Sequence, residues 1–448
     1  MFSARNWGLK GGIIMVQEKF DAIVVGAGPA GLSAAYTMAN NGLKVIVFER
    51  GEYPGAKNVM GGVLYRRATE DVFPEFWEEA PLERPVVESN YWFTTDGAVS
   101  KIGFRTQEFG IEPYNAFTVL RAKFDRWMGR QVEQAGALLI CETVVEDIIK
   151  EDGKVIGVKT GRPNGEVYAD VVVIAEGVNS MLTQEALGMQ KGYLAWDYLA
   201  VAVKEVIALP KEKIEDRFGL EDGQGATIEI IGEATKGMVG TAFIYTNYES
   251  ISIGVGALMS HLINRKLNPN DLLENLKAHP AVKPLIEGGE IKEYLGHMIP
   301  EGGYKAIPKL YGNGVVIVGD AAQFVNGLHR EGSNLALISG KVAGEVITKA
   351  FEKGDFTINS LAEYQQRLSE TFVIKDLQKY QHASGYFEEH PELFYLYPRL
   401  ASIAGKEFFT VDNIPKKEKQ RIIMRKIFEQ RSKWDLVKDL YKLWRVLG

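Results

Sequence analysis

The stretch Gly26-Ala27-Gly28-Pro29-Ala30-Gly31 has a G-x-G-x-x-G pattern and follows an apolar run. Residues 20–25 predict a short buried strand, 29–40 a helix and 44–48 a second strand. In such a unit the first glycine allows a tight turn, the second lets the backbone approach a pyrophosphate, and the third lets helix and strand pack closely. The sequence therefore predicts a dinucleotide site at the N-terminus of the helix, where free N–H groups attract phosphate.

Further acidic residues stand where strands end. Glu49 closes the predicted second strand, where an acidic side chain accepts hydrogen bonds from an adenosine ribose. Two later strands run into glycine turns, at Glu176-Gly177 and at Gly319-Asp320. A carboxylate there suits the ribityl chain or pyrophosphate ribose of FAD, and a nicotinamide-dependent enzyme needs neither site. The set favours FAD, with one alternative left open: Glu176 and Asp320 are plain strand caps.

The rest of the chain predicts how this unit is completed. Residues 171–175 and 314–318 have the continuous apolar character of strands buried on both faces. Alternating segments at 227–231, 238–245 and 250–257 predict an antiparallel sheet. The predicted fold class is α/β: a Rossmann-type FAD-binding fold, of the glutathione reductase or hydroxylase kind, with an inserted antiparallel-sheet domain and a C-terminal helical region.

Charge and aromatic residues set the C-terminal region apart. The net charge of −6 argues against nucleic acid as a partner, yet residues 414–448 hold 11 Lys and Arg against 4 Asp and Glu. This balance indicates an anionic membrane surface or an acidic partner, or a simple solvated helix face. One face of a predicted helix in this region forms an apolar stripe, made of Trp434, Val437, Leu440, Tyr441, Trp444 and Leu447. We expect this stripe to pack against the core, and contact with a membrane or a partner is the alternative.

The sequence has one cysteine, Cys141, in the apolar stretch 137–145, which predicts a buried strand thiol. A single thiol excludes an intrachain disulfide and a four-cysteine iron–sulfur cluster held by this chain. The six histidines are scattered, so no metal site is predicted. No run approaches the roughly 18 apolar residues of a spanning helix, and residues 1–14 lack the apolar core of a signal peptide, so we expect a soluble or peripheral protein.

Several segments together resemble a known superfamily. The glycine turn, Arg121-Ala122-Lys123-Phe124-Asp125, Glu176-Gly177 and Gly319-Asp320 are similar to the flavin-dependent hydroxylase and geranylgeranyl reductase superfamily. Residues 57–65, 301–309 and 407–412 resemble its electron transfer flavoprotein–quinone oxidoreductase branch, and more narrowly the FixC-type subunit of electron-bifurcating complexes. The resemblance extends from residue 20 to 448.

The resemblance implies a set of flavin contacts. Gly61 and Gly62 are expected close to the isoalloxazine ring, and Gly332-Ser333-Asn334 to open a long helix whose N–H groups and dipole favour the anionic reduced flavin. The full predicted set of cofactor contacts is Gly26, Gly28, Pro29, Ala30, Gly31, Glu49, Arg50, Gly61, Gly62, Arg121, Glu176, Gly177, Gly319, Asp320, Gly332, Ser333 and Asn334. No catalytic residue is assigned firmly; the candidates beside the flavin are Tyr304, Phe324 and His329, with proton transfer or plain packing both open for His329.

The resemblance also implies partners. It predicts an FAD-dependent oxidoreductase that takes electrons from the alpha and beta subunits of an electron transfer flavoprotein and passes them to menaquinone or ubiquinone. Single-chain members of the branch hold a cysteine-bound four-iron cluster, so the lone cysteine implies a separate small ferredoxin-like iron–sulfur subunit. The expected location is cytoplasmic, peripheral on the inner face of the cell membrane. The alternatives are a geranylgeranyl (polyprenyl) reductase, an NAD(P)H-dependent aromatic hydroxylase and a non-catalytic flavin-bearing scaffold.

The predicted domains are discontinuous. They are an N-terminal tail (1–18), an FAD-binding domain (19–95, 118–190 and 305–372), a quinone or substrate domain (96–117 and 191–304) and a C-terminal partner- or membrane-facing region (373–448).

Overall fold

The computed structural model describes residues 19–58, 62–189 and 196–448. Within them the strands are, in chain order, β1 (Phe20–Val25), β2 (Val45–Phe48), β3 (Val63–Tyr65), β4 (Leu82–Thr95), β5 (Ala98–Arg105), β6 (Ala116–Val119), β7 (Leu138–Ile140), β8 (Val145–Glu151), β9 (Lys154–Thr160), β10 (Glu166–Ile174), β11 (Leu199–Ala208), β12 (Gly225–Gly232), β13 (Gly240–Thr246), β14 (Ser250–Leu258), β15 (Glu290–Pro300), β16 (Tyr311–Gly312) and β17 (Val315–Ile317).

The helices of the same residues are α1 (Pro29–Asn40), α2 (Arg66–Glu70), α3 (Arg121–Gln134), α4 (Met181–Ala186), α5 (Lys211–Phe218), α6 (Met259–Arg265), α7 (Pro269–Ala278), α8 (Lys283–Ile286), α9 (Ser333–Lys353), α10 (Ile358–Leu361), α11 (Glu363–Glu370), α12 (Phe372–Lys379), α13 (Ala383–Glu389), α14 (Leu393–Phe409), α15 (Lys416–Gln430) and α16 (Lys433–Leu447).

A largely parallel sheet forms the first layer, in the order β16-β17-β10-β1-β2-β7, with β8 and β9 attached through β10. β1 pairs in parallel with both β2 and β10, as expected of a Rossmann-type unit. The strand predicted at residues 171–175 is the second half of a longer strand, β10, whose first half pairs with β9. The predicted α/β fold with a parallel dinucleotide-binding sheet is confirmed.

Helices α1 and α9 pack tightly against each other on this sheet. The hydroxyl of Ser33 in α1 donates a hydrogen bond to the carbonyl oxygen of Leu337 in α9, at 2.7 Å. A Cβ atom at Gly31 would be 2.0 Å from the carbonyl oxygen of Gly26, so only glycine lets α1 lie this close to the turn before it. The two helices therefore hold the N-terminus of α9 near the glycine turn.

The second sheet has nine strands, in the order β15-β11-β14-β13-β12-β4-β6-β3, with β5 paired to β4. β13 is antiparallel to both of its neighbours, β12 and β14, as predicted. β12 runs parallel to β4. β4 lies in residues assigned to the FAD-binding domain from the sequence. In the structure β4 belongs to the second sheet, because its backbone pairs with β5 along one edge and with β12 along the other. Its side chains are buried in alternation along most of its length.

The C-terminal helices lie over the edge of the second sheet. A Cβ atom at Gly232, at the end of β12, would be 3.1 Å from Pro398 in α14. Asp439 of α16 accepts hydrogen bonds from Tyr397 of α14 (3.0 Å) and from Arg431 (2.9 Å), which fixes α16 on α14. No helix of the described residues is long and apolar enough to cross a membrane.

The apolar stripe of α16 faces outward. Trp434 is 74% exposed and Trp444 70% exposed, and Val437, Leu440 and Tyr441 are also exposed. The expectation of core packing is therefore wrong for these five residues, because α16 turns its other face toward the body. Cys141, which was expected to be buried within a strand, is half-buried directly after β7, and burial raises the pKa of its thiol.

Candidate functional site

A cavity of about 1920 Å³ is lined by residues from both sheets. It is larger than the ~300–1,000 Å³ typical of ligand pockets, so it has room for a dinucleotide and a second ligand. Of the predicted cofactor contacts, Gly31 serves packing, Asn334 lies just inside α9 and Gly61 lies outside the described residues. The remaining predicted contacts line the cavity.

The glycine turn forms one end of this cavity. Gly26 has a φ of +103°, and a Cβ atom there would be 2.3 Å from the carbonyl oxygen of Ala175. At Gly28 a Cβ atom would meet nothing within 4 Å, because this position opens into the cavity. Pro29 and Ala30 follow at the N-terminus of α1. The turn thus presents open space and free N–H groups together, which suits a pyrophosphate.

Glu49 ties β2 to the glycine turn. Its Oε2 accepts a hydrogen bond from the N–H of Ala27 (2.9 Å), and its Oε1 accepts one from the N–H of Gly51 (2.6 Å). Each carboxylate oxygen keeps a second lone pair, so the side chain can still accept hydrogen bonds from ribose hydroxyls. Arg50 lines the cavity beside it.

Glu176 lines the cavity but uses its carboxylate to cap a helix. It accepts hydrogen bonds from the N–H of Leu182 (3.1 Å) and from the N–H and hydroxyl of Thr183 (2.7 and 2.9 Å), at the start of α4. Burial raises the pKa of this carboxyl, and the helix N–H groups oppose that rise. Glu176 therefore caps a helix and not a strand, and its contact with the cofactor stays a prediction.

Asp320, Arg121 and Ser333 meet on the opposite wall. Arg121 makes a bidentate pair with Asp125 (2.7 and 2.9 Å) and donates a hydrogen bond to the hydroxyl of Ser333 (3.2 Å). Burial raises the pKa of Asp320 to about 6, although Arg121 lowers it. Gly319, with a φ of +63°, makes the turn that brings Asp320 here. Three segments far apart in sequence thus converge at one place.

The start of α9 offers an unused acceptor. Gly332 is the N-cap of α9, and Ser333 is its first residue. The buried Oδ1 of Asn334 has no hydrogen-bond partner in the described part of the chain. A flavin carries a polar pyrimidine edge, so an unsatisfied acceptor near this helix start fits the predicted cofactor. Gly62 lies close by Tyr245, whose ring would be 3.0 Å from a Cβ atom at position 62.

The three catalytic candidates, Tyr304, Phe324 and His329, lie in different surroundings in the structure. Phe324 is fully buried in the core of the first sheet, and Tyr304 packs against that core. His329 lines the cavity, and its ring lies 4.9 Å from the ring of Tyr380. Of the three, His329 alone faces the cavity. Its contact with Tyr380 shows packing, one of the two roles considered for it.

The cavity also contains a polar cluster that the sequence analysis did not predict. Tyr245 donates a hydrogen bond to Glu229 (2.8 Å), Glu229 forms an ion pair with Arg330, and Glu301 lies near Arg330. The four residues come from β12, β13, the turn after β15 and the loop before α9. One signal was available: Glu229 is the single charged residue in an otherwise apolar strand. No group of side chains suited to a metal ion occurs in residues 19–58, 62–189 and 196–448.

Comparisons with known proteins bear on the fold and the family of the chain. A model of the ETF-QO/FixC family C-terminal domain matches residues 383–448, and a Thi4 family model matches residues 14–73, which include the glycine turn. Among solved structures, a geranylgeranyl bacteriochlorophyll reductase-like protein from Thermoplasma acidophilum has a TM-score of 0.70 at 21% identity, covering 95% of this chain and 100% of the other. The myxobacterial chondrochloren halogenase CndH has a TM-score of 0.63 at 18% identity, covering 93% and 91%. These two show the fold.

Curated relatives are much more similar in sequence. Protein FixC of Bradyrhizobium diazoefficiens is 47% identical over 96% of this chain and 99% of its own. The probable electron transfer flavoprotein-quinone oxidoreductase YdiS of Escherichia coli is 40% identical over 92% and 95%. The cofactor of the cavity is therefore FAD. At these identities and coverages the chain belongs to the ETF-QO/FixC family and is an FAD-dependent oxidoreductase.

Proposed function

We propose that this protein accepts electrons from an electron transfer flavoprotein and passes them through FAD to a membrane quinone, as one subunit of an electron-bifurcating complex. The bound flavin supplies the redox chemistry, and the chain positions the flavin and excludes water from it. The names of the relatives support the donor and the acceptor. The single cysteine supports a separate ferredoxin-like subunit as the holder of any four-cysteine cluster.

One observation carries the choice of a quinone. The cavity that begins at the glycine turn extends to α13, α14 and α16, where Phe387, Phe394 and Leu443 line it. The same helix α16 exposes Trp434 and Trp444 on its other face. An amphipathic helix with one face on an apolar cavity and an aromatic face outward gives a lipid-soluble molecule a route from a bilayer to the flavin.

The neighbouring helix α15 supplies positive charge for the same contact. Lys416, Lys417, Arg421 and Arg425 are all exposed on it. Basic residues beside exposed aromatic residues favour binding to the surface of an anionic membrane. We therefore place the protein peripherally on the inner, cytoplasmic face of the cell membrane, with α15 and α16 in contact with lipid.

The test is direct. Flavin in the purified holoprotein is photoreduced without oxygen and then mixed with a short-chain menaquinone or ubiquinone analogue, and flavin reoxidation is followed by absorbance. We expect fast reoxidation by quinone and none by isoprenoid diphosphates. Reoxidation by an isoprenoid substrate, or by oxygen with an aromatic compound, and no response to quinone would overturn the proposal. Co-purification with flavoprotein and iron–sulfur subunits tests the assembly.

A further inference from the structure

The cavity contains two carboxyl groups that share one cation. The two are Glu229 of β12 and Glu301, directly after β15, and the positive charge of Arg330 lowers the pKa of both carboxyl groups against the effect of burial. Glu229 is bound to this cation by a direct ion pair and also accepts the hydrogen bond from Tyr245. Burial raises the pKa of Glu229, and the ion pair with Arg330 and the hydrogen bond from Tyr245 oppose that rise. Glu229 therefore has its bonding partners within the cluster, and it already uses the charge of Arg330.

The loop before α9 is built to hold Arg330 in this position. The backbone N–H of Asn326 donates to the carbonyl oxygen of Glu331 (2.8 Å), and the N–H of Glu331 donates back to Asn326 (3.1 Å). Arg330 inside this closed loop has a φ of +58°, which is uncommon for a residue with a Cβ atom and costs on the order of 1 kcal/mol. Strain of this kind is found where a side chain must be aimed at a functional site.

Glu301 has a position in this cluster but no bonded partner. Its side chain lies against Gly327, where a Cβ atom would be 1.8 Å from Oε2, and no hydrogen bond to its carboxyl is formed within the described residues. Its backbone N–H is fixed by the carbonyl oxygen of Tyr198, at 2.7 Å. Because burial outweighs the attraction of Arg330, the pKa of Glu301 rises to about 7. The carboxyl therefore lines the cavity, and about half of it carries a proton at neutral pH.

The cluster borders the place predicted for the flavin ring. Tyr245 lies against Gly62, and Arg330 stands two residues before Gly332, the N-cap of α9. A second ligand lying between the flavin and the second sheet would have Glu301 within the same cavity. Outside this cluster, the titratable side chains that line the cavity are Glu49, Arg50, Lys57, Tyr65, Tyr91, Arg121, Asp125, Glu146, Asp147, Glu176, Glu185, Asp197, Tyr198, His297, Lys305, Asp320, His329, Glu388 and Tyr397.

We propose that Glu301 donates a proton to the carbonyl oxygen of the quinone as it is reduced, and that Arg330, Glu229 and Tyr245 are positioning residues for it; this rests on the proposed function. Conversion of a quinone to its quinol takes two electrons and two protons. The reduced flavin, when bound, would supply the two electrons and one proton, and the second proton would leave the Glu301 carboxyl as its O–H bond breaks and the quinol O–H bond forms. Water entering through the cavity returns a proton to Glu301.

The test compares Glu301→Gln and Glu301→Asp with Glu290→Gln, a control at the exposed start of β15. Reduced holoprotein is mixed with a quinone analogue or with ferricenium, which takes up electrons without protons. We expect Glu301→Gln to slow reoxidation by quinone about 100-fold, as for loss of a general acid, and to leave ferricenium reoxidation unchanged. Glu301→Asp should restore part of the rate, and the wild-type rate should fall as pH rises through about 7.

A second readout does not use turnover. Infrared difference spectra of oxidised holoprotein between pH 5 and 9 should show a protonated-carboxyl band that titrates near pH 7 in wild type and Glu290→Gln and is absent in Glu301→Gln. The band of Asp320, which titrates near pH 6, should remain in all three and is identified by its loss in Asp320→Asn. Two results would show that Glu301 is not the proton donor and would leave the proposed function standing. In the first, Glu301→Gln loses the band that titrates near pH 7 but keeps the wild-type rate with quinone. In the second, Glu301→Gln slows reoxidation by quinone and by ferricenium equally. A wild-type protein that does not react with quinone overturns the proposed function and this inference with it.

Discussion

Gly340 of α9 lies directly against the backbone of Ala30 in α1: a Cβ atom at position 340 would be 2.1 Å from the carbonyl oxygen of Ala30. Ala30 also belongs to the first turn of α1 and lines the cavity predicted to hold the dinucleotide. The contact between the two helices therefore sets the shape of the dinucleotide site as well as the stability of the fold.

We expect Gly340→Ala to destabilise the protein by about 2 kcal/mol or more, since a backbone atom cannot move as a flexible side chain can. FAD affinity should fall with it. The matched control is Gly405→Ala in α14, where a Cβ atom meets nothing within 4 Å and alanine should be neutral or slightly stabilising. Denaturant unfolding and FAD titration of the apoprotein measure both effects, and equal stability of the two variants would contradict the prediction.

Glu49→Gln should weaken FAD binding roughly 10- to 100-fold, because it replaces the charged acceptor of the Ala27 and Gly51 N–H groups with an amide. The turn that holds the pyrophosphate loses its anchor to β2. Flavin fluorescence during titration of the apoprotein measures the dissociation constant. Glu52→Gln changes an exposed neighbour in the same way and should bind FAD as wild type does.

Asp320→Asn should stabilise the apoprotein at pH 7 and above but not at pH 4. The pKa of Asp320 is about 6 in the fold against an ordinary 3.8, so ionisation between these values costs the folded wild type stability, and the cost is complete above pH 6. The difference of about two units corresponds to about 3 kcal/mol. Denaturant midpoints from pH 4 to 8 give the curve; a variant that gained stability only at low pH would show the sign to be wrong.

Arg330→Gln should move the alkaline limb of quinone reoxidation to higher pH. Arg330 lowers the pKa of Glu301, so removing the guanidinium leaves burial unopposed and keeps the carboxyl protonated over a wider range. Arg330→Lys retains a cation and should leave the limb close to its wild-type position. A limb that stays fixed or moves to lower pH in Arg330→Gln would separate Arg330 from Glu301.

The double substitution Trp434→Ser and Trp444→Ser should lower binding to anionic vesicles about tenfold or more, since two large exposed side chains no longer enter the interface. Flavin content and reoxidation by a water-soluble quinone should not change. Phe104→Ser, at an exposed aromatic residue on β5, serves as control and should bind vesicles normally. Vesicle co-sedimentation at low and high salt measures the effect.

The first sheet could be predicted in detail because its signals are local. The glycine turn, the helix after it and the apolar strands β1, β10 and β17 each occupy one short stretch of sequence. Glu49, Arg121 and Gly319, predicted to contact one cofactor, line one cavity, and their contact with FAD stays a prediction. The domain assignment of β4 could not be obtained in this way, because membership of a sheet depends on partners more than a hundred residues away.

The polar cluster was out of reach for the same reason. Glu229 and Arg330 are 101 residues apart, and their pairing depends on how β12 and the loop before α9 are brought together. In the sequence, Glu301 belongs to the segment 301–309 that carries the family resemblance, and nothing there indicates a chemical role for it. Its significance comes from what it lacks, a bonded partner within the described chain, and only three-dimensional packing reveals that.

The pairing of Ser33 with Leu337 spans 304 residues, which sets the order of events during synthesis. The ribosome must release the chain through the end of α9, at Lys353, before the parallel sheet and the floor of the flavin site are complete. Until then β1 and β10 leave apolar faces uncovered, the condition under which nascent chains aggregate or engage chaperones. The cavity takes lining residues from both ends of this span, Gly26 and Ser333 among them, so it can form only after that release.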